Sequence, residues 1–488
     1  MSEIKIIKTS DAIYDEYIEL TPLAKAIIDT PIYQYMRYIK QLAFVYLLYI
    51  NANHTRFEHQ VGTYYITKKW LAHLRKLYPN CITDELIEWI AIGGLCHDLG
   101  HGPFSHTFDE ITDTKHEARS IQAFRYLVKT YKISISDEGV EFIEHVIDGK
   151  FMDSYPAWYF ELVCNKKNNL DSDKFDYLRR DMFYCNIGRK PPVNRIISFS
   201  RINAEGHICF IKTAEVDIET LYMDRYSMFL QVYCHPVIIS AQTALLFPML
   251  KRISKLMNWD KLLDDKNCAW RELDDTLLHI IPKSEITLFQ KPKDEIADWC
   301  FIKNCWDRIS NRDLPSWEFV SAKDIDQKEN NLEVIVPIKL NFTLGSSNPL
   351  KSIYWSDTTL DISAYDMHRQ SSEEFKSRIH PDKYEVVRYL KVSLGSPLTT
   401  HYTDSEIDKF ICDLKLPEDA CIHSVKNYLE KLIVKWYDIG NVSIFYHWEI
   451  EENYDSKIII YLNQKNTCGV PKCILDFCSV WNIYVKIE

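Results

Sequence analysis

Three histidines and an aspartate lie within ten residues of one another at the end of the stretch Ile90–His106, IAIGGLCHDLGHGPFSH. The apolar run Ile90–Cys96 reads as a buried helix that delivers His97 and Asp98 side by side. His101 follows one helical turn after His97, so the two imidazoles share a face. Gly100, Gly102 and Pro103 then break the helix, and the turn brings His106 back towards the same place. One such histidine alone would read as a hydrogen-bonded core residue. Four polar groups at a buried helix end are costly unless a metal or a substrate uses them, so the stretch reads as a site.

Two more segments carry groups that complete a metal site. His59 lies in HTRFEHQVG at the start of a helix, with Arg56 three residues earlier on the same face. In NLDSDKFDYLRRD, Asp173, Tyr177 and Asp181 fall at i, i+4 and i+8, one stripe along one helix. Two histidines and two carboxylates form a mixed nitrogen and oxygen set suited to iron, manganese or zinc rather than calcium or magnesium. Such an ion lowers the pKa of bound water and holds a phosphoryl oxygen, so hydroxide can attack phosphorus near neutral pH.

The elements that must position these groups are mostly helical. A helix is expected through YQYMRYIKQLAFVYLLYI, then over 56–78, 82–96, from His116 onward, over 175–184, and as a long apolar region over 221–250. The first thirty residues read as short strands and turns. The expectation is therefore a mainly α protein: a helical core over 1–250, a smaller α+β lobe over 251–395, and a separate α+β module over 396–488. The lobe holds the strand-like LEVIVPIKLNFTL. The last module holds an amphipathic helix over 420–437 and alternating strands in VSIFYHWEI, KIIIYLN and WNIYVKI.

Composition narrows the class. With 488 residues, 46% hydrophobic and 26% charged, the chain has the profile of a soluble globular protein of several domains. The longest unbroken apolar run, 42–50, is too short to span a bilayer, and MSEIKIIKTS lacks signal-peptide architecture, so an intracellular, cytoplasmic or nuclear protein is expected. A net charge of −11 argues against a surface that tracks nucleic acid throughout, but leaves local anion binding open. The 14 cysteines include no CxxC pair and read as reduced packing residues; Cys468, Cys473 and Cys478 are spaced too widely for a usual zinc pair.

The order H…HD…D is the signature of the HD phosphohydrolase superfamily. IDTP, RYIKQL, RFEHQVG, GLCHDLGHGPFSHTFD, HE and DSDKFDYLRRD resemble, in order and spacing, the SAM-and-HD-domain deoxynucleoside triphosphate triphosphohydrolase family. The resemblance is good over 5–250 and weak over 330–395; it begins at the HD core, so no SAM domain is expected. It implies His59, His97, Asp98 and Asp173 as metal ligands, His106 as general acid, and Asp109 and Glu117 as carboxylates supporting it. His101 and His116 match further active-site histidines. A proton is needed because cleavage at the α-phosphorus expels a 5′-alkoxide, a poor leaving group.

The resemblance also implies Arg56, Lys174 and Arg225 as holders of the triphosphate, with magnesium possible on the nucleotide. Gln41, Leu42, Tyr177, Asp181 and Tyr233 match the sugar pocket: Gln41 and Asp181 for the 3′-hydroxyl, Leu42 and Tyr233 crowding C2′ against ribonucleotides. Asp29, Gln34, Arg37 and Arg201 match positions that read an activating GTP or dGTP. There Asp11, which opens DAIYDE, and Tyr17, just after it, stand where the family has asparagine and histidine, and Pro236 replaces a lysine, so a rewired activator site or constitutive activity is also open.

The expected function is a metal-dependent dNTP triphosphohydrolase, assembled as a homo-oligomer (dimer or tetramer), with a protein partner possible for 396–488. Two other readings stay open: a different HD hydrolase, such as a phosphodiesterase or nuclease, and a non-catalytic nucleotide-binding protein.

Overall fold

The computed structural model describes residues 7–112, 114–264, 267–280 and 293–320, with further strands and short pieces up to residue 487. The fold is mainly α. Its first helix, α1 (Pro22–Ile28), begins where the Thr21 side chain accepts from the backbone N–H of Ala24. It corrects the strand-and-turn expectation for the first thirty residues, which are otherwise met by β1 (Ile7–Thr9) and its antiparallel partner β2 (Ile18–Leu20).

The scaffold of the site is α2 (Arg56–Leu77), α3 (Asp84–Cys96), α4 (His106–Thr112), α5 (His116–Thr130), α6 (Asp137–Asp148) and α7 (Ser172–Tyr184). Three of these starts have a local cause in a capping side chain. The Thr55 N–H donates to Glu58 Oε2 at 2.6 Å, the return half of a capping box, and the Thr83 and Asp171 side chains accept from the N–H groups of Leu86 and Lys174. α2 packs on both α3 and α7, with Trp70 stacked on Phe175 at 5.2 Å, while α3 packs on α6. Val61, Leu71, Ile90, Ile92, Phe142 and Leu178 form part of the core between them.

Two expected helices are broken. The run from Tyr33 to Ile50 is a short α-turn (Pro31–Gln34) and two 3₁₀ turns (Tyr35–Tyr38 and Ala43–Leu47). Its backbone bonds go elsewhere: Lys40 bridges Thr55, and Gln41 N–H donates to His54 C=O at 3.0 Å. The 221–250 region is α8 (Glu215–Met228), a π turn (Phe229–Tyr233), α9 (Pro236–Ala241), a second π turn (Gln242–Leu246) and α10 (Phe247–Leu256). Pro236, with no N–H, enforces the break after Tyr233. Among the described residues, Pro236–Leu256 is the one helical run long and apolar enough to cross a membrane by length and composition; half of it is buried in the fold.

Beyond residue 250 lie α11 (Lys293–Ser310) and several strands. β3 (Ser200–Ile202) pairs with β4 (Ile208–Ile211), which pairs in parallel with β7 (Tyr354–Ser356), and β8 (Tyr365–Met367) closes that sheet. β9 (Glu385–Ser393) runs between β5 (Trp317–Val320) and β6 (Glu333–Asn341), matching the expected LEVIVPIKLNFTL strand. β10 (Trp448–Asn453), β11 (Lys457–Leu462) and β12 (Tyr484–Ile487) form a further sheet in the expected segments. The helix expected over 420–437, the boundary at 394–397 and Cys468, Cys473 and Cys478 lie outside the described residues.

Candidate active site

α3 ends at Cys96, one residue before the candidate ligands, so His97 and Asp98 sit in the turn that follows rather than in the helix. His101 is therefore placed by that turn and not by helical spacing; its N–H donates to Asp98 C=O at 3.1 Å. Gly100 is required here. A Cβ at that position would lie 2.0 Å from the His116 carbonyl oxygen and 2.4 Å from the Ser120 nitrogen, both backbone atoms.

Donor atoms of four residues from three elements approach one another. His59 Nε2 lies 3.3 Å from His97 Nε2, 3.4 Å from Asp98 Oδ2 and 3.2 Å from Asp173 Oδ1. His97 Nε2 lies 3.4 Å from both Asp98 Oδ1 and Asp173 Oδ1. Separations of this size are those of donors around a single ion at metal–ligand distances of about 2.0–2.2 Å. The far ring nitrogens are fixed: His59 Nδ1 faces Asp176 Oδ2 at 2.8 Å, and His97 Nδ1 faces the Gly94 carbonyl at 2.8 Å. Each partner holds the tautomer whose Nε2 lone pair points inward. The residues present thus fit a divalent transition ion.

The electrostatics of the cluster follow from its burial and from the charges its members set against one another. Burial opposes a proton on His59, yet the Asp173 and Asp176 carboxylates raise its pKa to about 9. Burial likewise opposes ionisation of Asp98, but His97 and Arg56 hold its acid well below the usual range. Asp173 is held low in the same way by Lys174 and the two histidines.

A second cluster lies alongside. His101 and His116 stack with centroids 4.1 Å apart, and His106 packs edge-on to both. His116 Nδ1 is 2.6 Å from Asp109 Oδ2, while His106 Nδ1 is 3.7 Å away, and Glu117 Oε2 is 3.7 Å from His116 Nδ1. Asp109 and Glu117 thus stand nearer to His116 than the support of His106 alone requires. Arg119 binds the other Asp109 oxygen. Burial disfavours the Asp109 charge, but His106 and His116 hold its acid far below the normal range. Burial, with Arg56 and His116, pushes His101 well below its ordinary value.

One cavity of about 890 Å³ joins the two clusters. Every candidate catalytic, substrate and metal residue lines it except His59 and Asp109, which stand behind the lining. Arg56 NH1 lies 2.5 Å from Asp98 Oδ2, and Lys174 Nζ 2.9 Å from Asp173 Oδ2. Arg225 lies over the Phe229 ring at 5.7 Å. Tyr233 donates to Asp181 Oδ2 at 2.7 Å, and Tyr177 lies beside both His59 and Tyr233.

Sequence similarity to known proteins extends over most of the chain. An HD domain-containing protein of Acanthamoeba polyphaga mimivirus is 35% identical over 397 residues, covering 72% of this chain and 85% of that protein. This chain belongs to the HD-domain family.

The HD domain itself matches residues 56–176, which contain all four candidate metal ligands. The Dictyostelium discoideum protein named as a deoxynucleoside triphosphate triphosphohydrolase SAMHD1 homolog is 29% identical over 359 residues, covering 69% of this chain and 68% of its own length. The Gallus gallus deoxynucleoside triphosphate triphosphohydrolase SAMHD1 is 34% identical over 254 residues; there the match spans 45% of this chain but only 41% of the relative. Among solved structures, a phosphohydrolase from Bacteroides thetaiotaomicron superposes with a TM-score of 0.62 at 19% identity, covering 80% of this chain and 100% of that one. That likeness speaks to the fold.

Sequence reasoning missed the residues that stand behind the candidate site. Asp176 accepts from Arg180 Nε at 2.9 Å and from the Tyr14 hydroxyl, and Arg180 reaches on to Asp11 Oδ2 at 2.9 Å. His54, the first residue of HTRFEHQVG, lies 2.7 Å from Asp181 Oδ1 and stacks on Tyr184. Asp176 had a signal, standing one turn after Asp173 on the same helix.

The four candidate activator positions lie outside the cavity lining. Asp29 caps α1 and pairs with Lys25. Gln34 donates to the Ile28 carbonyl at 2.7 Å and accepts from Arg37 Nε at 2.8 Å, and the Arg37 guanidinium covers the Phe57 ring at 3.5 Å. Arg201 donates to the carbonyls of Ser198 and Ser200 at 3.1 and 2.7 Å.

Proposed function

We propose that this HD-domain protein is a metal-dependent dNTP triphosphohydrolase, releasing deoxynucleoside and intact inorganic triphosphate. The observation that carries the reading is the meeting, at one cavity, of His97, Asp98 and Asp173 with His59 behind them, the histidine cluster and three cationic side chains. The relatives named as dNTP triphosphohydrolases support dNTPs as the substrate class. A divalent iron, manganese or zinc ion in the cluster would polarise a phosphoryl oxygen and supply hydroxide near neutral pH.

The chain's own residues do the rest. Arg56, Lys174 and Arg225 neutralise a polyphosphate tail, with magnesium free to accompany the nucleotide. His106, exposed to the cavity, delivers a proton to the departing 5′-oxygen. Gln41 Oε1 is buried without a hydrogen-bond partner, which a sugar 3′-hydroxyl would satisfy. Asp181, fixed by His54 and Tyr233, keeps acceptor capacity for the same hydroxyl. Leu42 and Tyr233 crowd C2′. The proposal includes a homo-oligomer and a GTP or dGTP activator at Asp29, Gln34, Arg37 and Arg201.

The test is incubation of metal-loaded protein with each dNTP and NTP, with and without GTP, followed by chromatography of the nucleoside released. Deoxynucleoside from dNTPs only, lost in His97→Ala and Asp98→Ala, supports the proposal. Cleavage of single-stranded RNA lost in the same variants favours a nuclease. Metal-loaded protein inert to all of these is left as a nucleotide-binding module.

A further inference from the structure

Asp275 lies about a hundred residues beyond the HD match, yet its carboxylate ties together two walls of the cavity. Oδ1 accepts from the Phe104 N–H at 2.7 Å, and Oδ2 accepts from the Lys40 N–H at 2.8 Å. Its own N–H donates to the Tyr38 carbonyl at 3.3 Å, and the residue is buried. Lys40 directly precedes Gln41 and Leu42. Phe104 and Ser105 directly precede His106.

The loop that Asp275 holds is one that ordinary residues resist. Phe104 and Ser105 are both left-handed, with φ of 59° and 55°, a conformation that costs any residue with a Cβ. Such strain persists only where surroundings over-determine it. Here the surroundings are the Asp275 carboxylate on Phe104, the Ser105 hydroxyl donating to the Lys40 carbonyl at 2.7 Å, and Arg56 Nε donating to that hydroxyl at 3.0 Å. Only a carboxylate offers two equivalent acceptor oxygens to two backbone N–H groups; an asparagine must turn its own NH₂ towards one of them.

We propose that Asp275 is a positioning residue that fixes the His106 loop against the Gln41–Leu42 wall, so that the imidazole meets the leaving-group oxygen. The proposal rests on the reading of His106 as proton donor in dNTP hydrolysis, and its test separates the two. The variant is Asp275→Asn, compared on dGTP and on the analogue in which sulfur replaces the 5′-bridging oxygen. A thiolate leaves without a proton, so a misplaced acid does not slow its departure.

The expected result is a loss in kcat of about 100-fold on dGTP with little change in KM, and a far smaller loss on the thio analogue. Bound metal per chain should stay as in the unaltered protein. Equal losses on both substrates, loss of metal, or unchanged kcat on dGTP would overturn the positioning role. Unaltered protein that fails to hydrolyse dGTP rejects the functional reading itself. If D275N does not fold, D275E, which keeps both acceptors but moves them by one methylene, gives the same ratio.

Discussion

Asp176 Oδ2 lies 2.8 Å from His59 Nδ1, the ring nitrogen turned away from the candidate metal ligands His97 and Asp98. The opposite nitrogen of that ring lies 3.2 Å from Asp173 Oδ1, so one turn of α7 grips the imidazole from both sides. Asp176→Asn should weaken metal binding by about 10–100-fold, because it removes the carboxylate that sets the tautomer and basicity of His59. Metal titration followed by elemental analysis checks this. Binding unchanged in the variant would show that Asp176 serves only Arg180 and the core.

Metal affinity should depend steeply on pH. The His59 pKa is raised to about 9, so below that pH the ring of the metal-free protein carries a proton that an ion must displace. Affinity is expected to rise about tenfold per pH unit from 6 to 8, with proton release visible in buffers of different ionisation enthalpy. Stability of the metal-free fold has the opposite sign. A raised histidine pKa contributes stability that is full below the unfolded value of about 6.5 and is lost as pH rises through about 9. A metal affinity flat from pH 6 to 8 contradicts this account.

The two histidines at Asp109 should separate by role. His106→Gln is expected to lower kcat on dNTPs by about 10²–10⁴-fold with bound metal unchanged, as loss of a general acid does. Asp109→Asn, which disturbs His116 at 2.6 Å before His106 at 3.7 Å, should cost less. Steady-state kinetics on both variants decide the order. A larger loss in His116→Gln than in His106→Gln would move the proton donor to His116.

Leu42→Ala should admit ribonucleotides. Removing three carbons from the wall assigned to C2′ is expected to narrow the preference for dNTP over NTP by roughly tenfold or more in kcat/KM. Competition between dGTP and GTP as substrates measures it directly. An unchanged ratio would place the discrimination elsewhere, with Tyr233 the next residue to alter.

The parts of the site legible in the sequence are those whose chemistry is compressed into short runs. His97, Asp98, His101 and His106 announce themselves because so many polar groups end one apolar helix, and Asp173, Tyr177 and Asp181 because they share one helical stripe. What supports them was less visible. Asp11, Tyr14 and Arg180 meet Asp176 only after folding, and Asp275 reaches the His106 loop across 171 positions of sequence. The helix expected after Tyr33 failed for a related reason. Its apolar content is that of a helix, but its backbone groups are claimed by His54, Thr55 and Asp275, contacts no local pattern encodes. Left-handed Phe104 and Ser105 carry no glycine to betray them.

The central claim is that a single metal-centred cavity cuts dNTPs at the α-phosphorus. Phosphorus NMR of dGTP incubated with metal-loaded protein tests it most directly. The account predicts the resonances of inorganic triphosphate growing in as those of dGTP disappear. Pyrophosphate appearing with deoxynucleoside monophosphate would contradict it.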